Sequence, residues 1–220
     1  MIVLAGTIGA GKTSLAAALG AHFGTCVYYE AVDGNPVLDL YYKDPAKYAF
    51  LLQIYFLNKR FASIKSAMRD DNNILDRSIY EDALFLRLNY EAGNVTATEL
   101  DVYTELLANM MEELEGTHKK RPDLLVYIDV SFDRMLERIA LRGRDFEQTR
   151  DNPELLAYFR RVHAAYPAWY EDYSASPKMR IDGDLLDFVD NPDDLAAVIA
   201  QVDGRLHSLN VPGDEMLLTA

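Results

Sequence analysis

Short apolar runs alternate along this chain with longer segments whose apolar positions recur at helical spacing. The runs at 1–5, 26–29, 73–75, 123–129 and 179–183 predict five strands. Helices are predicted over the intervening segments, which are 14–19, a stretch beginning at Asn35-Pro36, 44–70, 79–90, 98–115, 132–142, 153–173 and 193–208. This alternation predicts an α/β fold of three layers, with a parallel sheet covered by helices on both faces.

The first strand runs directly into a glycine-rich segment that opens a helix. Residues 6–13 fit G-x-x-x-x-G-K-[ST], the loop whose backbone N–H groups surround nucleotide phosphates. The loop residues that we predict to bind the nucleotide are Gly6, Thr7, Ile8, Gly9, Ala10, Gly11, Lys12, Thr13 and Ser14. In this motif the lysine reaches the β- and γ-phosphates, and the threonine hydroxyl ligates Mg²⁺. A chance glycine turn is the alternative, but the strand before it and the helix after it argue against that.

Charged residues follow the predicted strands at their carboxyl ends, where a parallel sheet places its active site. These residues are Glu30, Asp76, Arg77, Asp129 and Asp182, and we expect them to cluster. Asp76 is a candidate Mg²⁺ ligand, directly or through water. Glu30 is placed to accept a proton from an attacking alcohol, although a contact to metal-bound water or a helix cap explains a carboxylate here equally well.

Five arginines fall close together in a chain of net charge −13, namely Arg134, Arg138, Arg142, Arg144 and Arg150. Such a basic cluster in an acidic protein suggests an anion site. Arg138 and Arg142 are four residues apart and share a helix face. Arg144 follows Gly143, so the segment at about 142–150 is predicted to be a mobile lid over the phosphates. Surface salt bridges are the alternative for these side chains, and we favour it for Arg134 and Arg150.

Length and composition limit the remaining possibilities. The 220 residues suffice for one α/β domain over 1–208, and residues 209–220 are expected to be a mobile tail. The acidic balance argues against binding a nucleic-acid polymer. Cys26 is the only cysteine, so no internal disulfide forms, and a cytoplasmic protein is the simplest expectation. No apolar stretch reaches the length of a membrane span or forms a signal peptide, so no membrane association is expected.

Several motifs together resemble the deoxynucleoside kinase family, in particular the bacterial deoxyadenosine/deoxyguanosine kinases. They occur in family order over about residues 1–190. The pieces are the glycine loop at 6–13, Tyr29-Glu30 with Asn35-Pro36, the segments 41–45 and 50–53, Asp76-Arg77-Ser78-Ile79-Tyr80-Glu81-Asp82, the segment 142–148, and 181–184. Asp76 departs from the Glu found in many relatives.

The resemblance implies ATP- and Mg²⁺-dependent phosphorylation of the 5′-hydroxyl of a deoxynucleoside, with deoxyadenosine favoured and deoxyguanosine or deoxycytidine as alternatives. It assigns Glu30 as the base and Arg77 as its partner at the 5′-oxygen. The other implied catalytic residues are Lys12, Arg142 and Arg144, and Arg138 joins them as a lid arginine. The implied substrate contacts are Tyr42 and Glu147 at the 3′-hydroxyl and Gln53, Arg60 and Asp82 at the base. Asp182, Gly183 and Asp184 would lie near the donor adenine.

The resemblance further implies a dimer, either a homodimer or a heterodimer with a paralogue, built on the helices between residues 79 and 115. Those helices carry more apolar residues than one core-facing stripe needs, although ordinary core packing explains them equally well. Without the resemblance, Gln53 is equally a satisfied polar group, Tyr42 a packing aromatic and Glu147 a solvated loop residue.

Two other functions remain to be tested. A nucleoside monophosphate kinase of the thymidylate kinase type also has a glycine loop and a lid, but its acceptor is an anion that needs no base at position 30. A GTPase-like switch or a non-catalytic nucleotide-binding regulator is the second. The sequence lacks the Asn-Lys-x-Asp guanine motif of a GTPase.

Overall fold

The structure is a computed structural model, and it describes residues 1–32, 34–69, 73–115 and 121–210. Within those ranges lie the predicted strands, the candidate site residues and all the predicted helices apart from the end of the long one. Residues 211–220 of the predicted mobile tail and Asp70, the predicted end of the long helix, lie outside the described residues. Among the described helices, none is both long enough and apolar enough to cross a membrane.

The centre of the molecule is a parallel sheet, as the sequence predicts. Its strands are β1 (Ile2–Ala5), β2 (Val27–Tyr28), β3 (Ile74–Leu75), β4 (Leu124–Asp129) and β5 (Lys178–Asp182). They lie in the order β2-β3-β1-β4-β5, and every neighbouring pair is parallel. From β1 the chain goes to the edge strand β2, returns to β3 beside β1, and then crosses to β4 and β5 on the other side. This change of side opens a crevice at the carboxyl ends of the central strands.

Helices cover both faces of the sheet. They are α1 (Lys12–Phe23), α2 (Leu38–Lys43), α3 (Pro45–Ala67), α4 (Asp82–Glu91), α5 (Ala97–Glu115), α6 (Phe132–Arg142), α7 (Pro153–Asp172) and α8 (Pro192–Asn210). Short 3₁₀ helices span Ile79–Glu81 and Asp145–Glu147. Most of these helices match the predicted segments to within a few residues.

Alternate residues of the central strands enter different cores, because successive side chains of a strand point to opposite faces. Leu4 and Val126 pack with α1, α6 and α8, whereas Val3 packs with α3 and Leu125 with α4 and α7. The three predicted layers are therefore confirmed. The sheet holds the loops that follow β1, β2 and β3 side by side.

Two helix starts differ from the predictions, and each has a local cause. The helix expected from Asn35-Pro36 begins instead at Leu38, because the Asn35 side-chain oxygen accepts hydrogen bonds from the N–H groups of Val37 and Leu38 and forms a turn. The helix expected from Ile79 begins as a 3₁₀ turn capped by Ser78 and becomes α-helical at Asp82. Both turns border the crevice.

Two helical glycines make a matched test of packing. A Cβ on Gly20 of α1 would lie 2.3 Å from Val27 Cγ2, whereas a Cβ on Gly204 of α8 would meet nothing within 4 Å. We expect Gly20→Ala to lower the free energy of unfolding by about 1–3 kcal/mol through overpacking. Gly204→Ala is expected to raise it by about 0.5–1 kcal/mol, because alanine loses less entropy in a helix. Urea unfolding measures both, and equal shifts would contradict the close packing of α1 on β2.

Candidate active site

The glycine loop connects β1 to α1 at the carboxyl edge of the sheet. Gly6 has φ +145°, and a Cβ there would lie 2.7 Å from the carbonyl oxygen of Ile128. Gly11, at φ +98°, would place its Cβ 3.1 Å from the ring of Phe188. Both positions therefore require glycine, and the loop leads directly into the N-terminus of α1, the end of a helix that favours anions. Lys12 Nζ donates hydrogen bonds to the carbonyl oxygens of Gly6 and Thr7, each at 2.8 Å.

Thr13 and Asp76 meet at the mouth of this loop. The Thr13 hydroxyl donates to Asp76 Oδ2 at 2.7 Å, and Asp76 Oδ1 is buried without a hydrogen-bond partner in the described structure. Burial raises the pKa of Asp76, while Lys12 and the Thr13 hydrogen bond oppose that shift. Such an oxygen pair fits Mg²⁺, a hard cation that takes few protein ligands beside phosphate oxygens and water. No cluster of three or more metal-binding side chains occurs in the described ranges.

Glu30 lies just beyond β2 and contacts two arginines. Its Oε1 lies 2.6 Å from Arg60 Nη2 and 2.9 Å from Arg77 Nε, and its side chain is 16% exposed. Burial alone would raise the pKa of Glu30, but Arg77 and Arg60 outweigh burial and lower it to about 2. The carboxylate is therefore ionised and fixed next to the phosphate loop. Arg60 also forms an ion pair with the fully buried Asp82.

The predicted lid begins where α6 ends. Gly143 caps the helix at φ +70°, and Arg142 and Arg144 both approach Glu147, the latter at 3.6 Å. The ring of Phe146 stacks on Tyr42 at 5.2 Å. Arg142 thus occurs as an ion pair with the residue predicted to bind the 3′-hydroxyl. Both members of this ion pair line the cavity.

Arg138, the third of the predicted lid arginines, makes different contacts from Arg142 and Arg144. Its guanidinium group donates to the Ala10 carbonyl at 2.9 Å and to the Gly183 carbonyl at 3.2 Å, and it lies over the Phe188 ring. It therefore connects the phosphate loop to the segment after β5. Burial lowers the pKa of Arg138, while Asp187 raises it.

These residues surround a cavity of about 980 Å³, large enough for a nucleoside and a nucleotide together. Most predicted site residues line it, namely Ile8, Gly9, Gly11, Lys12, Thr13, Ser14, Glu30, Tyr42, Gln53, Arg60, Asp76, Arg77, Arg138, Arg142, Arg144 and Glu147. Gln53 is 4% exposed and lies on α3, one helical turn from Phe56. A single chamber therefore joins the phosphate loop to Gln53 and Arg60.

Some predicted residues lie outside the cavity lining. Gly6, Thr7 and Ala10 form the back of the phosphate loop, and Asp82 lies behind Arg60. Asp182, Gly183 and Asp184 form a turn in which Asp182 accepts from the Asp184 N–H, and the cavity is lined instead by Asp187, Val189 and Asp190 farther along. Of the charged residues expected to cluster at the strand ends, Glu30, Asp76 and Arg77 line the cavity, whereas Asp129 and Asp182 do not. Asp129 Oδ2 lies 3.5 Å from Arg180 Nη1, and Asp129 ends β4 in register with Asp182 at the end of β5.

Sequence reasoning missed the apolar and aromatic lining of the chamber. Leu38, Tyr41, Leu52, Phe56, Phe85 and Tyr158 all line it. The helical spacing of Leu52, Phe56 and Arg60 around Gln53 is the signal that places one α3 stripe at the cavity. Glu81 was also missed. It is fully buried, and its Oε1 lies 3.1 Å from Arg77 Nη1. The Ser78-x-x-Glu81 spacing of a capping box marks it.

The arrangement is suited to phosphoryl transfer to a neutral acceptor. The phosphate loop and three arginines, Arg138, Arg142 and Arg144, occupy one end, and an ionised carboxylate faces a chamber with apolar and amide side chains at the other. An anionic acceptor placed beside Glu30 would meet a negative charge.

Comparisons with known proteins agree with this geometry. Residues 2–207 match the family model described as deoxynucleoside kinase. The chain is 56% identical over 209 residues to the deoxyguanosine kinase of Lactobacillus johnsonii, covering 95% of this chain and 93% of the relative. It is 50% identical over 209 residues to the deoxyadenosine kinase of Lactobacillus acidophilus, covering 95% and 97%. The structure of deoxyadenosine kinase from M. mycoides with bound dATP superposes at TM-score 0.78 and 28% identity, covering 92% of this chain and 98% of that one.

Proposed function

This chain belongs to the deoxynucleoside kinase family and is a kinase, and we propose that it transfers the γ-phosphoryl group of ATP to the 5′-hydroxyl of a deoxynucleoside. The observation that carries the proposal is the position of Glu30, an ionised carboxylate between the phosphate loop and the nucleoside-sized chamber. The product is a deoxynucleoside 5′-monophosphate, as expected in nucleotide salvage.

In the proposed reaction, the residues of the chain mainly position groups and stabilise charge. The phosphates lie on the glycine loop, and Lys12 turns from the loop carbonyls to the β- and γ-phosphates. The O–H bond of the 5′-hydroxyl breaks, its proton passes to Glu30, and its oxygen forms a bond to the γ-phosphorus. The bond between that phosphorus and the β,γ-bridging oxygen breaks, which releases ADP. Arg77, Arg142 and Arg144 neutralise the charge that spreads over the transferring group.

Substrate contacts follow from the remaining lining residues. Glu147 belongs to the predicted lid, Tyr42 stacks on Phe146 of the same segment, and both are proposed to bind the 3′-hydroxyl. Gln53 offers an amide that can both donate to and accept from a base edge, and Arg60 offers a guanidinium group held by Asp82. The amide pairs well with adenine, and the guanidinium group suits the guanine O6 and N7 acceptors. We therefore propose a purine deoxynucleoside, with deoxyadenosine favoured from the amide.

A substrate panel tests this proposal. The four deoxynucleosides and deoxyadenosine monophosphate are each incubated with ATP and Mg²⁺, and ADP release is measured. We expect turnover of deoxyadenosine, deoxyguanosine or both, with deoxycytidine weaker, and no turnover of the monophosphate. Turnover of the monophosphate alone would establish a nucleoside monophosphate kinase of the thymidylate kinase type and reject the proposal.

Thr13 and Asp76 are proposed to hold Mg²⁺ beside the phosphates. Their oxygens lie 2.7 Å apart, and Asp76 Oδ1 has no other partner among the described residues. The ion would neutralise charge on the β- and γ-phosphate oxygens. Titration with Mn²⁺, followed by paramagnetic broadening, should show tighter binding in the presence of ATP, and Asp76→Asn should abolish that gain.

We propose a dimer that buries the outer faces of α4 and α5. Tyr90 on α4 is 42% exposed and Val102 on α5 is 52% exposed, and partly buried apolar residues accompany them on α5. A second copy or a paralogue would cover these residues. Sedimentation equilibrium of the protein alone, and of Val102→Glu, distinguishes a homodimer from a monomer awaiting a paralogue. We further propose a cytoplasmic location, which cell fractionation tests.

The ionisation of Glu30 gives a prediction for the pH dependence. Because the pKa of Glu30 in the folded protein is lowered to about 2, the carboxylate stays charged as the pH falls until it approaches that value. The profile of kcat/KM, which reports groups of the free enzyme, should therefore show no acid limb from Glu30 between about pH 5 and pH 8. An acid limb near pH 6 that moves in Glu30→Asp would contradict the pairing with Arg60 and Arg77.

A further inference from the structure

Glu81 is a fully buried carboxylate that contacts donors from several elements. Its Oε1 accepts hydrogen bonds from the Gly6 N–H at 3.2 Å, from Arg77 Nη1 at 3.1 Å and from the Tyr166 hydroxyl at 2.7 Å. Its Oε2 accepts from the Ser78 N–H at 3.0 Å. These donors come from the phosphate loop, from the segment after β3 and from α7. One carboxylate therefore joins three parts of the chain that meet at the cavity.

The capping of the 3₁₀ helix explains only one of these two oxygens. The Ser78–Glu81 capping box uses Oε2, and Oε1 remains for Gly6, Arg77 and Tyr166. A cap at this position can lie at the surface, where it needs no further donors. Here the second oxygen is directed at the back of the site, toward the guanidinium group that contacts Glu30.

Arg77 links Glu81 to the reaction centre. Its Nε lies 2.9 Å from Glu30 Oε1, its Nη1 lies 3.1 Å from Glu81 Oε1, and Nη1 also donates to the Tyr166 hydroxyl at 3.0 Å. The planar guanidinium group, which lies over the Phe85 ring, is thereby held between the two carboxylates. Because Glu81 also binds the N–H of Gly6, a continuous set of contacts runs from the phosphate loop through Glu81 and Arg77 to Glu30.

We propose that Glu81, oriented by Tyr166, is a positioning residue that fixes Arg77, and through it Glu30, relative to the phosphate loop. The inference rests on the proposed phosphoryl transfer to a deoxynucleoside. Transfer requires the attacking oxygen and the γ-phosphorus to lie about 3–3.5 Å apart and in line, and a displacement of about 1 Å costs on the order of 10²-fold in rate. Glu30 belongs to the acceptor side and Gly6 to the donor side. Glu81 is the buried group that contacts the donor side directly and the acceptor side through one arginine.

A role confined to holding the fold predicts a different result. Loss of the buried carboxylate would then lower stability, while each enzyme molecule that still binds both substrates would react at the normal rate. A positioning role lowers the rate of the bound complex itself and leaves the dissociation constants nearly unchanged. The rate of phosphoryl transfer in a single turnover separates the two, because it excludes product release.

The experiment compares Glu81→Gln, Tyr166→Phe and the control Tyr173→Phe by rapid quench with enzyme in excess over ATP. Tyr173 is another buried tyrosine next to α7, but its hydroxyl bonds Ser176 away from the site. We expect a loss of about tenfold or more for Glu81→Gln and about three- to tenfold for Tyr166→Phe, with dissociation constants for ATP and deoxynucleoside within about threefold. Tyr173→Phe should transfer at the wild-type rate.

If all three variants transfer the phosphoryl group at the wild-type rate, the inference is overturned. It is also overturned if the substitutions change only the dissociation constants. Both oxygens of Glu81 accept hydrogen bonds, so the NH2 group of a glutamine would face a donor on one side or the other, and circular dichroism is used to check the fold of this variant. If that variant does not fold, Tyr166→Phe decides, and a rate within about 1.5-fold of wild type overturns the inference. If the wild-type protein phosphorylates none of the four deoxynucleosides, the proposed function itself is overturned. If the wild-type protein is active and the variants transfer at its rate, only the inference about Glu81 is overturned.

Discussion

Replacing Glu30 by glutamine is expected to lower kcat by about 10²–10⁴-fold while ATP binding stays nearly unchanged. Glutamine has almost the same size, but it cannot take the proton of the 5′-hydroxyl. The variant also loses the charge that pairs with Arg60 and Arg77, at 2.6 and 2.9 Å. The positive charges of those arginines are then no longer balanced by a carboxylate at position 30. They can still hold the 5′-oxygen of the nucleoside, but no base removes its proton. Rapid-quench measurement of transfer, with ATP affinity from fluorescence titration, checks both parts.

Glu171→Gln is the matched control for this prediction. Glu171 is an exposed residue near the end of α7, and its carbonyl accepts a hydrogen bond from Lys178 at the start of β5, the opposite end of the sheet from the cavity. That variant should keep wild-type turnover. A Glu30→Gln enzyme with unchanged turnover would show that Glu30 is not the base, and a regulatory nucleotide-binding function would then regain support.

Replacing Arg77 by methionine is expected to lower the free energy of unfolding by about 3–5 kcal/mol, because a buried carboxylate loses its cationic partner. Arg77 and Glu81 are nearly or fully inaccessible to solvent, so water cannot compensate. Although burial alone would lower the pKa of Arg77, Glu30, Tyr166 and Glu81 raise it well above its usual range, so the lost group is a full charge. Turnover should fall together with stability.

Denaturant unfolding measures this change, and two further variants separate its causes. Arg87→Met removes an exposed arginine of α4 and should change stability by no more than about 0.5 kcal/mol. Arg77→Lys keeps the charge, but an ammonium group cannot bond both carboxylates as the planar guanidinium group does. This variant should therefore be more stable than Arg77→Met but recover little of the turnover. A loss below about 1 kcal/mol in Arg77→Met would contradict a tightly paired buried network.

The sequence could predict the elements of this fold because their signals are local. The alternation of strands and helices, the glycine loop and the α6 bounds Phe132–Arg142 each depend on residues close together in the chain. Glu30 and Asp76 could be assigned to the crevice because carboxyl ends of parallel strands share one edge. Asp129 and Asp182 also end parallel strands, but they do not line the cavity, which shows that a position at a strand end does not by itself identify a lining residue.

The contacts between distant segments could not be read from spacing. Nothing in the local pattern relates Arg138 to the carbonyls of Ala10 and Gly183, or Tyr166 to Glu81, since those partners are 45 to 128 residues apart. The stacking of Phe146 on Tyr42 likewise depends on how the lid lies against α2. Family resemblance supplied roles for Gln53 and Glu147 that their surroundings in the sequence do not indicate.

The Lys12 ammonium group, turned back onto the carbonyls of Gly6 and Thr7, has a further consequence for which molecules enter. An incoming ion must compete with two hydrogen bonds that the loop already makes to its own side chain. A singly charged anion offers one contact in exchange for two, so we expect it to compete weakly. A polyphosphate chain brings several charges at once, so we expect this loop to select ligands by their charge as well as by their nucleobase.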